Sequence, residues 1–367
     1  MQISFPRLPP LLLSLLVVCD VQADPDGLDR LFQHGDCIAC DLRGVDLMGR
    51  DLRGVSLKGA DLRDADLSDA LLYKADLRQA RLVGAQLGGA SLGRANLAGA
   101  DLRGLKLEQG RLSRTDLSGA DLSGAVLRGA NLEGAVLSNA NLAGADLSGA
   151  SLVQSRLEGA NLHGVKLDRA NLRGVDLGQV KSLSGVSLAG ADLRHADLAG
   201  LRLDGVDLTA GRLMSADLSG VSLVSARLEG AELKKAVLID TDLSHAKLKN
   251  ARLVGVKLQG AILTGADLEG VTLAGNLIGF DFTQARLVRT TLAGANLKGA
   301  SFRDALMEYV DLEGANLYAA DFTGARLRRC NLRRANLRKA LLADVDLGDS
   351  LLEGALGIEQ LKESSTE

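Results

Sequence analysis

Tryptophan is absent from this 367-residue chain, and aromatic residues of all kinds make up only 2% of it. Hydrophobic residues still amount to 46%, so any core must be built from aliphatic side chains. Proline is scarce too: Pro6, Pro9, Pro10 and Pro25 are the only ones, and all lie near the N-terminus. Every later backbone N–H is therefore free to donate, as a sheet ladder requires. Long apolar runs are missing beyond Val18, because Gly and charged residues interrupt the chain throughout, and the run Leu11 to Val18 falls short of the ~20 residues a bilayer needs. Charge of one sign is also lacking. With 43 basic and 46 acidic residues the formal net charge is -3, which gives neither a basic footprint for nucleic acid nor a strong acidic field.

What the chain does have is a period of five. From Leu42 to Leu352 an apolar residue stands at every fifth position, usually with Ala or Val two before it. On an α-helix a step of five turns about 140°, so the leucines would spiral and form no face. On a flat strand five is odd, and successive leucines would point to opposite sides. A chain that turns one corner per repeat satisfies the pattern, with each central residue aimed at a common axis. That is a solenoid. From Leu42 to Leu177 the central residue is Leu in all twenty-eight repeats, whereas the position two later is Gly in only seventeen. Asp64, Lys74, Arg94 and Arg114 also occupy that later site, so the corner is expected not always to require a left-handed backbone. Phe282, Phe302 and Phe322 fall twenty residues apart, and a twenty-residue coil would stack the three rings in one inner column.

Gly119-Ala120-Asp121-Leu122-Ser123-Gly124-Ala125 and Ala140-Asn141-Leu142-Ala143-Gly144 resemble the pentapeptide-repeat family, over about 85% of the chain. The resemblance implies an all-β fold, a right-handed quadrilateral β-helix of four repeats and about twenty residues per coil. The central Leu and the Ala two before it would point inward and the other three positions outward. At this length it implies about sixteen coils, closed by short helical caps. The family includes members that resemble DNA in shape and charge and inhibit topoisomerases, while most have no assigned activity.

Residues 1–23 carry Arg7, the apolar run and Val21-Gln22-Ala23, and read as a signal peptide cut after Ala23. Export to the periplasm follows, or to the extracellular space or an organelle lumen. A lipidated Cys19 is the rival reading of this stretch. Residues 24–40 form an N-terminal cap: Leu28, Leu31 and Phe32 have helical spacing, Asp24 or Asp26 can start the helix, and an amphipathic helix would lid the first coil. Cys37 and Cys40 follow, in the phases of the central and the inward small residue. In an oxidising space they would form a structural disulfide. Thiol-redox chemistry stays open as an alternative, whereas Asp41 stands where haem attachment needs His, and zinc would find only His34 nearby.

The repeat array spans 41–355, and residues 356–367 read as a C-terminal cap and a polar tail from Lys362. Two register slips interrupt it: one residue is inserted near Lys181-Ser182 and one is lost between Gly275 and Phe280. A bulge is expected at each, with one continuous core. Arg50 and Cys330 break the inward Ala pattern; Arg50 should reach an acidic group or solvent, and Cys330 should behave as a small buried apolar residue.

Function has to lie on the outer positions. His163, His195 and His245 are outward and do not pair, no Ser has a base placed by the lattice, and no cofactor, metal or small-molecule substrate is implied, so an enzyme is not expected. Asp41, Asp61, Asp101 and Asp121 form an acidic column that Arg43, Arg63, Arg81 and Arg103 largely neutralise. At the C-terminal end Arg326, Arg328 and Arg333 have acidic neighbours at twenty-residue steps, leaving Arg329, Arg334, Arg338 and Lys339 as a candidate patch for an anionic partner. The chain reads as an exported structural or protein-binding scaffold. A topoisomerase-binding DNA mimic and a thiol-redox protein are the alternatives, and partner and oligomeric state are not specified. If the inward assignment holds, Leu142→Ala should cost about 2 to 5 kcal/mol, and Leu142→Asp should lower the melting temperature far more than Ala143→Asp. Equal shifts in thermal denaturation would refute it.

Overall fold

The structure, a computed structural model, describes residues 25–342, 345–347 and 349–358. The signal peptide expected over 1–23, Cys19 and the tail from Lys362 lie outside them. Two compact units divide the chain, residues 1–162 and 163–367. Among the described residues no helix is long and apolar enough to cross a membrane.

The first unit opens with α1, Pro25–His34. Asp26 in its first turn and His34 in its last complement the helix dipole. Gly35, at φ 71°, ends it by returning its N–H to the Leu31 carbonyl at 3.0 Å. Leu31 is buried while Phe32 stays largely exposed. Arg50 is exposed, so it reaches solvent as expected, and its guanidinium also lies over the Phe32 ring of the lid, 5.5 Å from its centre.

Beyond α1 both units are built from one five-residue module, and the pairing of backbone N–H groups explains it. Taking Leu57 as the central residue, its N–H donates to the Asp76 carbonyl of the next coil at 2.7 Å. The corner N–H of Gly59 donates to Arg78 at 2.8 Å, and Ala60 N–H closes the turn onto Leu57 at 3.0 Å. The residue before a central Leu donates backwards, as Asp61 does to Cys40 at 2.8 Å. The remaining N–H, one after the central Leu, faces outward and is taken by a side chain: Met48 N–H donates to Asp46 Oδ1 at 2.9 Å. An Asp or Asn before the central Leu thus completes the donors of its repeat as an Asx turn, which is why the sequence repeats Asp-Leu and Asn-Leu.

Parallel bridges run from the residue before a central Leu to the one twenty later, as in Asp41 to Asp61 and Asn96 to Asp116. Four repeats therefore make a coil, and the section is four-sided. The column Phe282, Phe302, Phe322 has centroid separations of 5.1 and 4.9 Å with rings 7° apart. Beside it three short strands, β1 (Arg286–Val288), β2 (Leu306–Glu308) and β3 (Arg326–Arg328), pair in parallel and in that order. Three inward threonines are satisfied locally, the Thr115, Thr241 and Thr290 hydroxyls each donating to a carbonyl of the preceding coil at 2.8 Å, whereas the inward Ser155 hydroxyl finds no partner among the described residues. Cys330 is free, fully buried and raised in pKa by burial, as its inward position implies.

The slips fall in the second unit. Around the first, bridges lengthen to twenty-one residues, as in Lys166 to Ser187, with Lys181 as the extra residue in a bend. Around the second they shorten to nineteen, as in Thr272 to Thr291. Here the chain makes no bulge. Leu277 follows Leu273 by a step of four where the repeat takes five, so the loss is a tightened corner with Gly275 at φ 95°. At the C-terminal end Leu356 still pairs with Asn336 as another rung, and Leu347 and Leu352 are only half-buried. The described part of the expected C-terminal cap is a continuation of the ladder, and no helix is seen there.

The corners correct one expectation. Asp64, Lys74, Arg94 and Arg114 all have φ between 57° and 60°, like the glycines at equivalent sites. Each turn carries its positive φ at the third residue, as a type II turn does, and the inter-coil bonds on both sides hold it there against the about 1 to 2 kcal/mol that an L-residue loses. Two glycines separate this strain from crowding. A Cβ at Gly119 would meet nothing within 4 Å, whereas one at Gly84 would collide with Asp64 Oδ1 from the coil before. Gly119→Ala should cost about 1 kcal/mol in urea denaturation. Gly84→Ala should cost more, and the same change made in an Asp64→Gly background should cost no more than Gly119→Ala; equal losses from the two single changes would remove the crowding.

Candidate functional site

Three regions hold the residues singled out above. At the cap, the Cys37 and Cys40 sulfurs are 2.16 Å apart and both residues are buried. The Cys37 sulfur lies 3.0 Å from the Gly27 carbonyl of α1, and Arg30 reaches the Cys40 sulfur at 3.2 Å. The pair joins lid to first coil from within. Thiol exchange needs a sulfur that a partner can approach, and this burial opposes it.

Along the first unit, Arg two residues after an outward Asp folds back onto the same carboxylate. Arg43 reaches Asp41 through Nε and Nη2 at 2.8 and 2.6 Å. The same fork joins Arg53 to Asp51, Arg63 to Asp61, Arg78 to Asp76 and Arg103 to Asp101. Arg81 adds a contact to Asp61 at 3.4 Å from the next coil. Hydrogen bonds from these forks hold the Asp41, Asp51, Asp61, Asp76 and Asp101 carboxyls below their ordinary value. Each exposed fork stabilises little, about 0 to 1 kcal/mol. Their larger effect is to cancel the acidic column that a duplex mimic would display.

At the C-terminal end the candidate cations part company. Arg329 is committed, since its guanidinium donates to the Tyr309 hydroxyl at 2.5 Å, lies over that ring and reaches Asp349 at 3.6 Å. Arg333 meets Glu353 at 3.5 Å, and Arg334 is 4.0 Å from Glu313, the carboxylate expected to serve Arg333. A hollow of about 410 Å³ beside Arg329 is lined by Glu308, Arg328, Asp346 and Asp349 and so carries both signs. Lys339 lies over Tyr318 at 5.5 Å, and Lys298 lies over the same ring at 5.8 Å. Arg338 makes no ion pair among the described residues.

Sequence reasoning missed Lys298 and Tyr318, and it missed the amides beneath them. Asn276, Asn296, Asn316 and Asn336 form a ladder in which each Nδ2 donates to the Oδ1 one coil earlier at 3.1 to 3.3 Å. Asn331 joins Asp311 in the same way at 3.0 Å. Subtracting twenty finds these columns as readily as it finds the ion pairs. Among the described residues no three His, Cys, Asp or Glu side chains are grouped to hold a metal ion.

The sequence profile described as Pentapeptide repeats matches this chain in successive, mostly overlapping stretches from 40–79 to 315–354. The chain belongs to the pentapeptide-repeat family. Its four-sided coil is accordingly the right-handed quadrilateral β-helix of pentapeptide-repeat proteins, which are generally structural or interaction proteins and not enzymes. Among solved structures, the chain is similar to HetL, a pentapeptide repeat protein involved in heterocyst differentiation regulation from the cyanobacterium Nostoc sp. strain PCC 7120, with 32% identity over 64% of this chain and 89% of that one and a TM-score of 0.27. A pentapeptide repeat protein of the Arabidopsis thaliana thylakoid lumen shares 29% identity over 35% and 70% of the two chains, with a TM-score of 0.12. QnrB1, a plasmid-mediated fluoroquinolone resistance protein, shares 19% over 59% and 88%, with a TM-score of 0.22. No curated protein matches the chain.

One outward carboxylate of this pentapeptide-repeat protein gives the surface lattice a pH signature. Burial alone would raise Asp146, but the Ser148 hydroxyl at 2.7 Å and Arg128 Nε at 2.8 Å outweigh it and bring the carboxyl from 3.8 down to about 2. A carboxylate depressed on folding stabilises fully above its unfolded value near 4 and loses that contribution as the pH falls through its folded value. The urea midpoint should therefore be level at neutral pH and fall between about pH 4 and 2, and Asp146→Asn should lower the neutral midpoint while shrinking the fall. An unchanged pH profile in that variant would remove Asp146 from the acid response.

Proposed function

We propose that this chain is an exported, non-enzymatic scaffold whose coil faces bind protein partners. The observation that carries the reading is the state of the outer positions. Asx turns, Asp-Leu-Arg forks and amide ladders fix polar side chains at the spacing of the coils, giving flat surfaces already ordered before a partner arrives. Such faces offer extended contact area without an enclosed cleft for a small substrate. The N-terminal stretch ending at Ala23 and the buried Cys37–Cys40 pair both favour an oxidising compartment, the periplasm first among them.

Expression with the native N-terminus, followed by fractionation and intact-mass measurement, tests export. Mature protein beginning at Asp24 should appear in the exported fraction, and an uncleaved chain retained in the cytoplasm would end that half of the proposal. Chemical crosslinking in the same fraction should trap a discrete protein partner, while DNA supercoiling by gyrase should proceed uninhibited. Inhibition of supercoiling would move the assignment to the topoisomerase-binding class.

A further inference from the structure

One face of the second unit differs from the others in its charge. It is the face that carries the Asn276, Asn296, Asn316 and Asn336 ladder. Its other outward positions over the same coils are Ile278, Lys298, Tyr318, Arg338 and Lys339 with Gly or Ala at the other corners, so no carboxylate stands on that stretch among the described residues. On other faces many exposed arginines are met by acids on their own face, as in the forks and in the Arg329–Asp349 pair. Here Lys298 and Lys339 lie over the Tyr318 ring, and Arg338 projects beside them without an acidic partner among the described residues. Oδ1 of Asn316 and Asn336 in the ladder also accept the N–H of Tyr318 and Arg338 at 3.3 Å. The cations therefore stand on a rigid base, and Lys298 and Arg338 share one column about 10 Å apart, two coil steps.

We propose that this face docks a carboxylate-rich polypeptide segment of a partner protein. Charge complementarity names the sign of the partner, and the aromatic residue narrows its class. Single-stranded nucleic acids bind through bases stacked on exposed rings, and stacking would serve a sugar ring as well. The Tyr318 ring is already covered by ammonium groups, one from the coil before and one from the coil after. What remains on offer is positive charge and side-chain N–H, which carboxylates accept. The inference rests on the scaffold reading and gives it a face and a partner chemistry.

The test is fluorescence anisotropy with the full mature chain and a labelled Glu-rich peptide at low salt. Lys298→Glu, Arg338→Glu and Lys339→Glu combined should weaken binding at least about tenfold, and the residual affinity should lose most of its salt dependence. Arg227→Glu, Arg252→Glu and Arg303→Glu combined make the same change in net charge on other faces of the second unit and should leave affinity nearly unchanged, with thermal melts confirming that both variants fold. Equal weakening in the two variants would overturn the proposal, because net charge and not this face would then govern. Tighter binding of single-stranded DNA or of a uronate polymer through the same three residues would overturn it in favour of a different polymer. Peptide binding seen only when the chain is shortened after Ile358 would assign the face to the acidic residues among 359–367. Recovery of the same crosslinked partner by the Lys298, Arg338 and Lys339 variant would refute the face while leaving the scaffold intact.

Discussion

The backbone hydrogen bond from one coil to the next is the constraint on which the rest of the structure depends. It sets the step between coils, and every other contact inherits that step. The phenylalanine rings stack at it, the asparagine amides bridge it, and arginines and aspartates meet across it. It also dictates what may point inward. With backbone walls held at a fixed separation, a Leu from each face and a small residue beside it fill the interior. A buried Thr is tolerated where its hydroxyl can donate to a carbonyl of the coil before.

The outer residues answer to the same lattice. The aspartate before the central leucine is easily taken for surface charge, yet it caps the one backbone donor that the ladder leaves over. Where arginine follows two residues later, the same carboxylate is used twice and the surface is neutral at that point. Charge is therefore a poor guide to binding on most faces of this fold. A face becomes informative when the acid is replaced by an amide, because the cap is kept and the counter-charge is gone. The Asn276 to Asn336 column makes that replacement.

Much of the fold was legible in the sequence because the lattice is strict where it is buried. The five-residue period excluded helix and flat strand, the Phe282 to Phe322 spacing gave the coil length, and the spacing of Leu28 and Leu31 gave α1. The corners were not legible. Side-chain identity there varies freely, and the hydrogen bonds on either side impose the left-handed backbone on Lys74 or Arg94 as firmly as on a glycine. The cation patch was half legible: its members were read as a run in sequence, whereas Arg329 belongs to a neighbouring face and Lys298 and Tyr318 enter from earlier coils. Arg50 depended on a ring in α1 that the repeat arithmetic does not include.

The two register slips carry a lesson about how such a chain can change. In a flat sheet one added or lost residue turns every later side chain to the wrong side. Here the insertion at Lys181 and the deletion between Leu273 and Leu277 are each confined to a single corner, and the coils beyond them resume the twenty-residue pairing. A corner thus works as a local error absorber, since the ladder counts faces and not residues. Small insertions and deletions are contained where they occur, and a repeat array of this kind can drift in length without losing its sides.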